Sequence, residues 1–215
     1  MPGSDDSRSQ SAQIMAPHKW RSARILEAVC QVNEHLVSAL SELSRHGSLS
    51  SPIVGKNLDV LRRLDVTACK RAARIPVLLL DLHFQHADWW RDVVRLNGEL
   101  RATAGSASNL PATHAAELTR ESLFVAWLAA QHARQSMSLL FGMSDAVATL
   151  IGALTPQQLS RIAERSSGEL RIRWQTKPEF WKQLLTAGRS GSDVELCDVQ
   201  LLGLQLLGGE LMSAR

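Results

Sequence analysis

The chain has 215 residues, of which 45% are hydrophobic, and a formal net charge of +3 at pH 7. This is the composition of a globular protein that is long enough to bury the core of one large domain or two small ones. Three scattered cysteines exclude a disulfide framework and a paired zinc site, and no stretch approaches the ~20 apolar residues of a membrane span. We therefore expect a cytoplasmic protein without a cofactor or a membrane segment. The mild positive charge permits a nucleic-acid partner but does not require one.

The first half of the chain predicts four helices and one short strand. Residues 1–19 are polar and are expected to form a disordered tail. One apolar stripe then predicts a long helix from Trp20 to a stop at Gly47, and its members are Ile25, Val29, Val32, Leu36, Leu40 and Leu43. Two short helices follow, around residues 58–64 and 66–74. The alternating apolar residues of "VLLLDLHF" predict a strand, and "DWWRDVV" opens a further helix.

The second half follows a linker at residues 105–112, where glycine, proline and small polar residues cluster. A long helix over residues 113–141 is expected to end at Gly142, and Ser144 is a suitable cap for the short helix after it.

The stretch "LTPQQLSRIAER" predicts the next helix. Thr155 and Gln158 have the spacing of a capping box, and Pro156 takes the first helical position. "GELRIRW" alternates as a second short strand, and another helix begins at Pro178.

The last predicted helix is "SDVELCDVQLLGLQLLGGEL", in which Ser192 and Glu195 form a second capping-box pattern. Because this helix is apolar on most faces, we expect it to be buried against the long helix near Phe124 and Leu128, or against another subunit.

The order of elements occurs twice. "LRRLDVTACKRAARIPVLLLDLHFQ" aligns with "IGALTPQQLSRIAERSSGELRIRWQ" without a gap, and one insertion later Trp89–Trp90 aligns with Phe180–Trp181. We interpret this as a tandem duplication. The predicted fold is mainly α, with repeated helical modules at residues 20–104 and 113–215. Each module has a helix-turn-helix-like segment and one short strand, and the two pack as an intrachain pseudo-dimer with their strands close together, because a lone strand leaves an unpaired edge.

Residues 135–174, "QSMSLLFGMSDAVATLIGALTPQQLSRIAERSSGELRIRW", carry a resemblance to a known family. The pattern Ala-Thr-x-x-x-Ala-Leu-Thr, and then Ala-Glu before a short strand, resembles the bacterial flagellar transcriptional activator FlhD. The terminal "VQLLGLQLLGGEL" is similar to that family's closing helix, and "ILEAVCQVNEHL" is more weakly similar to its opening helix. The resemblance covers residues 115–212 with moderately specific motifs and residues 22–95 with weaker ones.

The resemblance implies a mostly helical protein that works as an intertwined homodimer. In that family the dimer joins a second, zinc-binding subunit type, FlhC, to bind promoters and recruit RNA polymerase. This chain departs from the pattern because it carries two modules, so one chain would imitate the dimer. It also lacks the family's cysteine at the strand, where Leu170 and Leu80 stand.

Arginine and lysine on the helix-turn-helix-like segments are the candidate DNA contacts, since a guanidinium binds phosphate or guanine in a bidentate manner. The candidates are Arg161, Arg165, Arg171, Arg173, Lys70, Arg71 and Arg74. The alternative is that these side chains only solvate the faces of small helices, and Glu164 and Glu169 dilute the basic cluster.

Apolar residues of the last helix and two strand aromatics are the candidate packing or oligomer interface. They are Leu201, Leu204, Leu206, Leu207, Trp174 and Phe84. The tryptophans occupy matching places in the two modules, which favours core positions over stacking on bases.

We expect no enzyme, since a glycine-rich phosphate loop, a nucleophile elbow and a clustered set of carboxylates are all lacking in the sequence. His83 and His86 have a His-x-x-His spacing, but on a strand they would point to opposite faces, and no cysteine cluster supports a metal site. Cys30 and Cys69 lie among apolar residues and are expected to be buried, unreactive thiols.

Two functions from different classes remain. One is an FlhD-like transcriptional regulator subunit that binds DNA weakly itself or through an FlhC-like partner, with a possible further homo-oligomer. The other is an adaptor or assembly protein that uses the same fold for protein–protein interaction and does not bind DNA. A continuous basic face across both modules favours the first, and an exposed apolar groove or helix favours the second.

Overall fold

The computed structural model of this chain describes residues 17–47, 52–96 and 110–213. In this part of the chain the fold is mainly α, as predicted, with ten α-helices and one two-stranded sheet. The elements are α1 (Pro17–His46), α2 (Pro52–Arg62), α3 (Val66–Ala72), β1 (Leu80–Asp81), α4 (Ala87–Arg95), α5 (Ala112–His132), α6 (Met137–Phe141), α7 (Asp145–Gly152), α8 (Pro156–Arg165), β2 (Arg171–Ile172), α9 (Pro178–Ser190) and α10 (Asp193–Ser213). Short 3₁₀ turns precede α6 and β2.

Helix α1 follows the predicted stripe closely. All six predicted apolar members are buried, and the helix stops at Gly47, whose φ of 69° is the left-handed conformation that glycine adopts most easily. The helix begins at Pro17, within the stretch predicted as tail. Residues 1–16 of that tail and residues 105–109 of the predicted linker lie outside the described residues, and Ala112 of the linker already belongs to α5.

The long helix predicted over residues 113–141 is wrong as a single element. Helix α5 ends at His132 because Ala133 adopts a non-helical conformation (φ −145°, ψ 41°), and a 3₁₀ turn then leads into α6. The break redirects the chain so that Met137 and Phe141 are buried, at 2% and 0% exposure. Gly142 ends α6 at a φ of 59°, as predicted.

The predicted strand "VLLLDLHF" is much shorter than its alternation suggested. Only Leu80 and Asp81 form a strand, and the whole run from Val77 to Leu80 is buried at 0% exposure. A continuous apolar run of this kind is typical of a segment enclosed on all sides rather than one with a solvent face. The buried amide of Asn33 on α1 holds this run in place, since it donates to Val77 O at 2.9 Å and accepts from Leu79 N at 2.9 Å.

The two short strands pair with each other, as predicted. They form an antiparallel sheet in which Leu80 lies opposite Ile172 and Asp81 lies opposite Arg171. Further contacts join the same parts of the chain: Leu78 N donates to Leu140 O at 2.7 Å, and Ser144 N donates to Phe84 O at 3.0 Å. The two halves therefore meet through backbone hydrogen bonds as well as through side chains.

The helix that follows each strand packs on helices of the other half. Helix α4 lies against α7 and α8, whereas α9 lies against α2 and α3. The contact between α3 and α9 is close, because a Cβ at Gly188 would lie 2.7 Å from Ala72 Cβ and 2.8 Å from Ala68 O. Asn57, where α2 is kinked, donates its side-chain amide to Pro178 O at the start of α9.

The intrachain place predicted for the last helix is wrong, and its alternative, burial against another subunit, stays a prediction. Helix α10 packs on α9 and on Ile75, where a Cβ at Gly203 would lie 2.6 Å from Ile75 Cδ1. Phe124, its expected neighbour, is 52% exposed. Leu196, Val199 and Leu207 supply the buried face of α10.

We predict that the two halves stay together after the chain between them is cut. A protease site inserted within residues 97–109 and cleaved under native conditions should leave both fragments in one complex, because α4 packs on the second half and α9 on the first. Size-exclusion chromatography with light scattering should give the mass of the intact chain, and separation should occur only in denaturant. Fragments that elute separately in native buffer would contradict the exchange of helices.

Candidate functional site

The segment from α7 to α8 has the form of a helix-turn-helix. Ser144 caps α7 by accepting from Val147 N, and the turn of residues 153–155 leads to α8. The capping box of α8 is formed as predicted: Gln158 N donates to Thr155 Oγ1 at 3.3 Å, and Thr155 N donates to Gln158 Oε1 at 3.0 Å. Gln158 is therefore occupied at the start of the helix and is not aimed at a base edge.

Helix α8 divides into a buried and an exposed face. Leu159, Ile162 and Ala163 are buried, whereas Arg161 and Arg165 are exposed one turn apart. Of the predicted basic candidates, Arg161 and Arg165 are the pair that lies exposed within one helix. The four-residue spacing places both guanidinium groups on one side of the helix.

Arg173 is wrong as a surface DNA contact, because the structure buries it. Its side chain is 4% exposed and its guanidinium group is surrounded by acceptors. It donates from Nε to Leu80 O at 3.2 Å, from Nη2 to Phe141 O at 2.6 Å and to Asp81 Oδ1 at 3.3 Å, and from Nη1 to Glu210 Oε2 at 2.6 Å. A guanidinium group that is enclosed and satisfied in this way serves the fold. Arg171, its neighbour but one, is exposed.

The basic residues of α3 do not extend the surface of α8 into a continuous patch. Arg71 pairs with Asp193 of α10, with Nη2 and Oδ1 3.1 Å apart. Lys70 and Arg74 are exposed, but they line a cleft of about 560 Å³ together with Glu27 and Glu34 of α1. Acidic groups therefore interrupt the basic charge of the first half.

The apolar candidates on α10 differ in their burial. Leu207 is 1% exposed, and Leu204 and Leu206 are half-buried, so these three belong to the packing of the chain. Leu201 is 54% exposed, and Val194 and Met212 are also exposed, at 72% and 70%. Part of the terminal helix therefore presents apolar side chains on the surface of the described chain, which is a feature of interaction surfaces.

The second capping box is formed only in part. Glu195 N donates to Ser192 Oγ at 3.2 Å, but the Glu195 carboxylate accepts from Ser190 Oγ instead of returning to Ser192 N. Ser190 completes the turn by accepting from Ser192 N at 3.2 Å.

The strand aromatics are core residues, as predicted. Phe84 is 0% exposed and meets Phe141 of the second half edge to face, with ring centroids 6.2 Å apart. Trp174 is 6% exposed and packs on Phe180 at 4.7 Å. The indole N–H of Trp174 has no hydrogen-bond partner in the described residues.

The expected separation of His83 and His86 is wrong. The strand ends at Asp81 and His83 has a φ of 52°, so the chain turns and the two rings lie 5.6 Å apart. His83 is instead held by Glu169 of the second half, with Nε2 and Oε2 3.0 Å apart, and it stacks on Trp89. Within the described residues, no group of three or more histidine, cysteine or carboxylate side chains is arranged to hold a metal ion.

The cysteines differ in their burial. Cys69 is buried and Cys30 is half-buried, and loss of solvent around each thiol raises its pKa, which reduces the reactive thiolate. Cys197 on α10 is exposed.

Two structural side chains were not identified from the sequence. Asn33 lies in the apolar stripe of α1. A single polar residue at such a core position was the signal in the sequence that could have indicated a buried hydrogen-bonding role. Glu210 was one of several acidic residues of α10, and nothing in the local sequence points to Arg173, which is 37 residues away.

No family model, no curated protein and no solved structure matches this chain. The resemblance to FlhD therefore depends on the quoted motifs alone. Among the described residues, no helix combines the length and the apolar character required to cross a membrane.

We predict that Arg173→Ala lowers the free energy of unfolding by about 3–5 kcal/mol, because it removes the cation from a buried set of acceptors and leaves the carboxylates of Asp81 and Glu210 without their cationic partner. Arg161→Ala is the matched control, since it removes an exposed arginine and should change stability by no more than about 0.5 kcal/mol. Urea unfolding followed by circular dichroism measures both variants. A loss below about 1 kcal/mol for Arg173→Ala would mean that this network does not stabilise the fold.

Proposed function

We propose that this chain is an FlhD-like subunit of a transcription-regulating assembly, in which one chain takes the place of a homodimer and a partner protein supplies most of the DNA contact. The observation that carries the proposal is the exchange of helices around the paired strands. An intertwined dimer is the arrangement that the resemblance implies for the family.

The register of the strand pair supports a twofold relation between the halves. The sequence alignment equates Asp81 with Arg171, and these two residues lie opposite each other in the sheet. A twofold axis through this pair would exchange the strands. It would move Leu80 to the place of Leu170 and Ile172 to the place of Leu82, so that the pair Leu80–Ile172 becomes the pair Leu170–Leu82. That result keeps the same antiparallel register, as a pseudo-dimer requires.

Matching hydrogen bonds after the strands support the duplication. Trp90 Nε1 donates to Leu82 O at 3.2 Å, and Trp181 Nε1 donates to Arg173 O at 3.1 Å, with the same separation of eight residues. His83 and Trp174 are the two non-glycine residues of positive φ in the described chain, at 52° and 53°. These pairs are 91 residues apart, whereas the gapless alignment equates residues 90 apart as far as Gln85 and Gln175, so this match requires the one insertion to lie at the strands, earlier than in the alignment.

The interrupted basic surface supports a role for a partner. Arg173 is buried and Arg71 is paired with Asp193, so neither guanidinium group extends the exposed arginines of α8 toward the first half. A footprint of so few exposed cations would neutralise few phosphates. An exposed apolar stretch on α10 is at the same time present for protein–protein contact.

The second candidate, an adaptor that acts outside transcription, is favoured by the same interruption of basic charge. The two functions differ in whether the assembly occupies promoters in the cell.

We predict weak, sequence-independent DNA binding by the isolated chain, with dissociation constants in the micromolar range or above and a steep loss of affinity as salt rises. Fluorescence anisotropy with a promoter duplex and a scrambled duplex measures this, with heat-denatured protein as the control. Tight binding that prefers the promoter would contradict the need for a partner.

We further predict promoter occupancy in the cell. Chromatin immunoprecipitation with a tagged chain from its source organism should enrich promoter regions, and deletion of its gene should change transcript levels of the adjacent genes. The untagged strain is the control. Absence of enrichment together with unchanged transcripts would exclude the regulator and leave the adaptor.

A further inference from the structure

Helix α10 packs on α9 of its own half and contacts α3 and the residues after it in the first half. Asp193 pairs with Arg71 on α3, and Gln200 Nε2 donates to Arg74 O at 2.7 Å, where the chain leaves α3. Gly203 then lies directly on Ile75, and a Cβ at this glycine would also lie 3.7 Å from Cε2 of Phe180 on α9. An acidic, leucine-rich helix is thus the natural cover of this surface.

The proposed duplication places an equivalent surface where α8 of the second half meets α4 of the first half; we refer to it as the α4–α8 surface. Arg161 takes the place of Arg71, Arg165 takes the place of Ile75, and Trp89 takes the place of Phe180. Helix α10 packs mainly on α9 rather than on α4 or α8, and both arginines are exposed. Leu96, at the end of α4, is 42% exposed.

Among the described residues, α10 is the only leucine-rich helix that carries acidic residues and no basic ones. Helix α10 follows α9 after a short turn, but the sequence that follows α4, residues 97–109, contains one leucine and two glycines and has no apolar repeat. The sequence after α4 therefore does not repeat the pattern of α10.

We propose that the α4–α8 surface binds an acidic, leucine-rich amphipathic helix of another protein, in the way that α10 covers α3 and α9. This inference rests on the proposed duplication. The charge of α10 indicates the chemistry, since its residues include Asp193, Glu195, Asp198 and Glu210 and no lysine, arginine or histidine. Arg165 stands where the first half has the apolar Ile75, so this surface carries a basic side chain where the surface under α10 carries an apolar one. Helices of this kind bind through apolar anchors one turn apart, and their charges select the partner.

A labelled peptide with the sequence of residues 192–213 is the probe, because it has the chemistry of the natural cover. Fluorescence anisotropy with the full chain should show saturable binding to one site. The double variant R161E/R165E should weaken binding by about tenfold or more, since attraction to the acidic peptide becomes repulsion.

The matched control is K56E/R63E, which makes the same change in charge at two exposed residues of the first half and should bind the peptide as the parent does. Circular dichroism and thermal unfolding of each variant establish that it is folded.

Three outcomes would overturn the inference. In the first, the peptide does not bind at all. In the second, R71E abolishes binding while R161E/R165E does not, which would mean that the peptide only displaces α10. In the third, R161E/R165E leaves peptide binding unchanged but abolishes the binding of a labelled DNA duplex, which would make this surface a nucleic-acid contact. Promoter occupancy in the cell is measured independently, so failure here is distinguishable from failure of the proposed function.

Discussion

The buried guanidinium group of Arg173 joins parts of the fold that are distant in sequence. It binds the carbonyl oxygen of Leu80 in β1, that of Phe141 at the end of α6, and the carboxylates of Asp81 and Glu210. Its own backbone is also engaged, because its N–H donates to Leu79 O and its carbonyl oxygen accepts from Trp181 Nε1. The strands, the end of α6, the start of α9 and the terminal helix are therefore positioned by one residue. An uncompensated charge at this place would be costly, so these elements have to assemble together.

A sheet of two residues per strand is not stable alone. What stabilises it here is the packing of α4 and α9, each of which crosses to the other half directly after its strand. The same crossing brings His83 to Glu169 and Phe84 to Phe141. The halves consequently share one apolar core, and Trp90 and Trp181, both fully buried, are two of its largest side chains.

Local sequence patterns were sufficient for much of this fold. The stripe of α1, the glycine stops at Gly47 and Gly142 and the capping box of α8 are all determined by residues within one or two turns of each other. The pairing of the strands was also predictable, because two lone strands leave two edges that need partners. These features depend on short-range chemistry or on symmetry.

The incorrect predictions concern contacts that only the tertiary structure determines. The sequence suggested that Arg173 lies on the surface, because its acceptors come from residues 80, 81, 141 and 210 and none of them is near it in the sequence. The alternation of "VLLLDLHF" suggested a solvent face, but enclosure by both halves buries this segment almost completely. Nothing in the sequence of α5 shows that Ala133 leaves the helical region, nor that α10 would pack on α9 rather than beside Phe124.

For the candidate surface, the sequence identified Arg161 and Arg165 and their exposed helix but not their surroundings. The structure adds that α10 packs on α9 and contacts α3, a place that corresponds to the α4–α8 surface under the proposed duplication. The same two arginines can therefore be considered as a docking site for an acidic helix, a function for which the charge of α10 itself provides the pattern.

The central claim is that each half of the chain completes the other through the strand pair and the exchanged helices. Nuclear Overhauser effects in the isotopically labelled full chain test this most directly. The account predicts cross-strand effects between Asp81 and Arg171 and between Leu80 and Ile172, together with effects from Trp90 of α4 to side chains of α7 and α8. Effects from α4 to α2 and α3 of its own half, with none between the two strands, would contradict it.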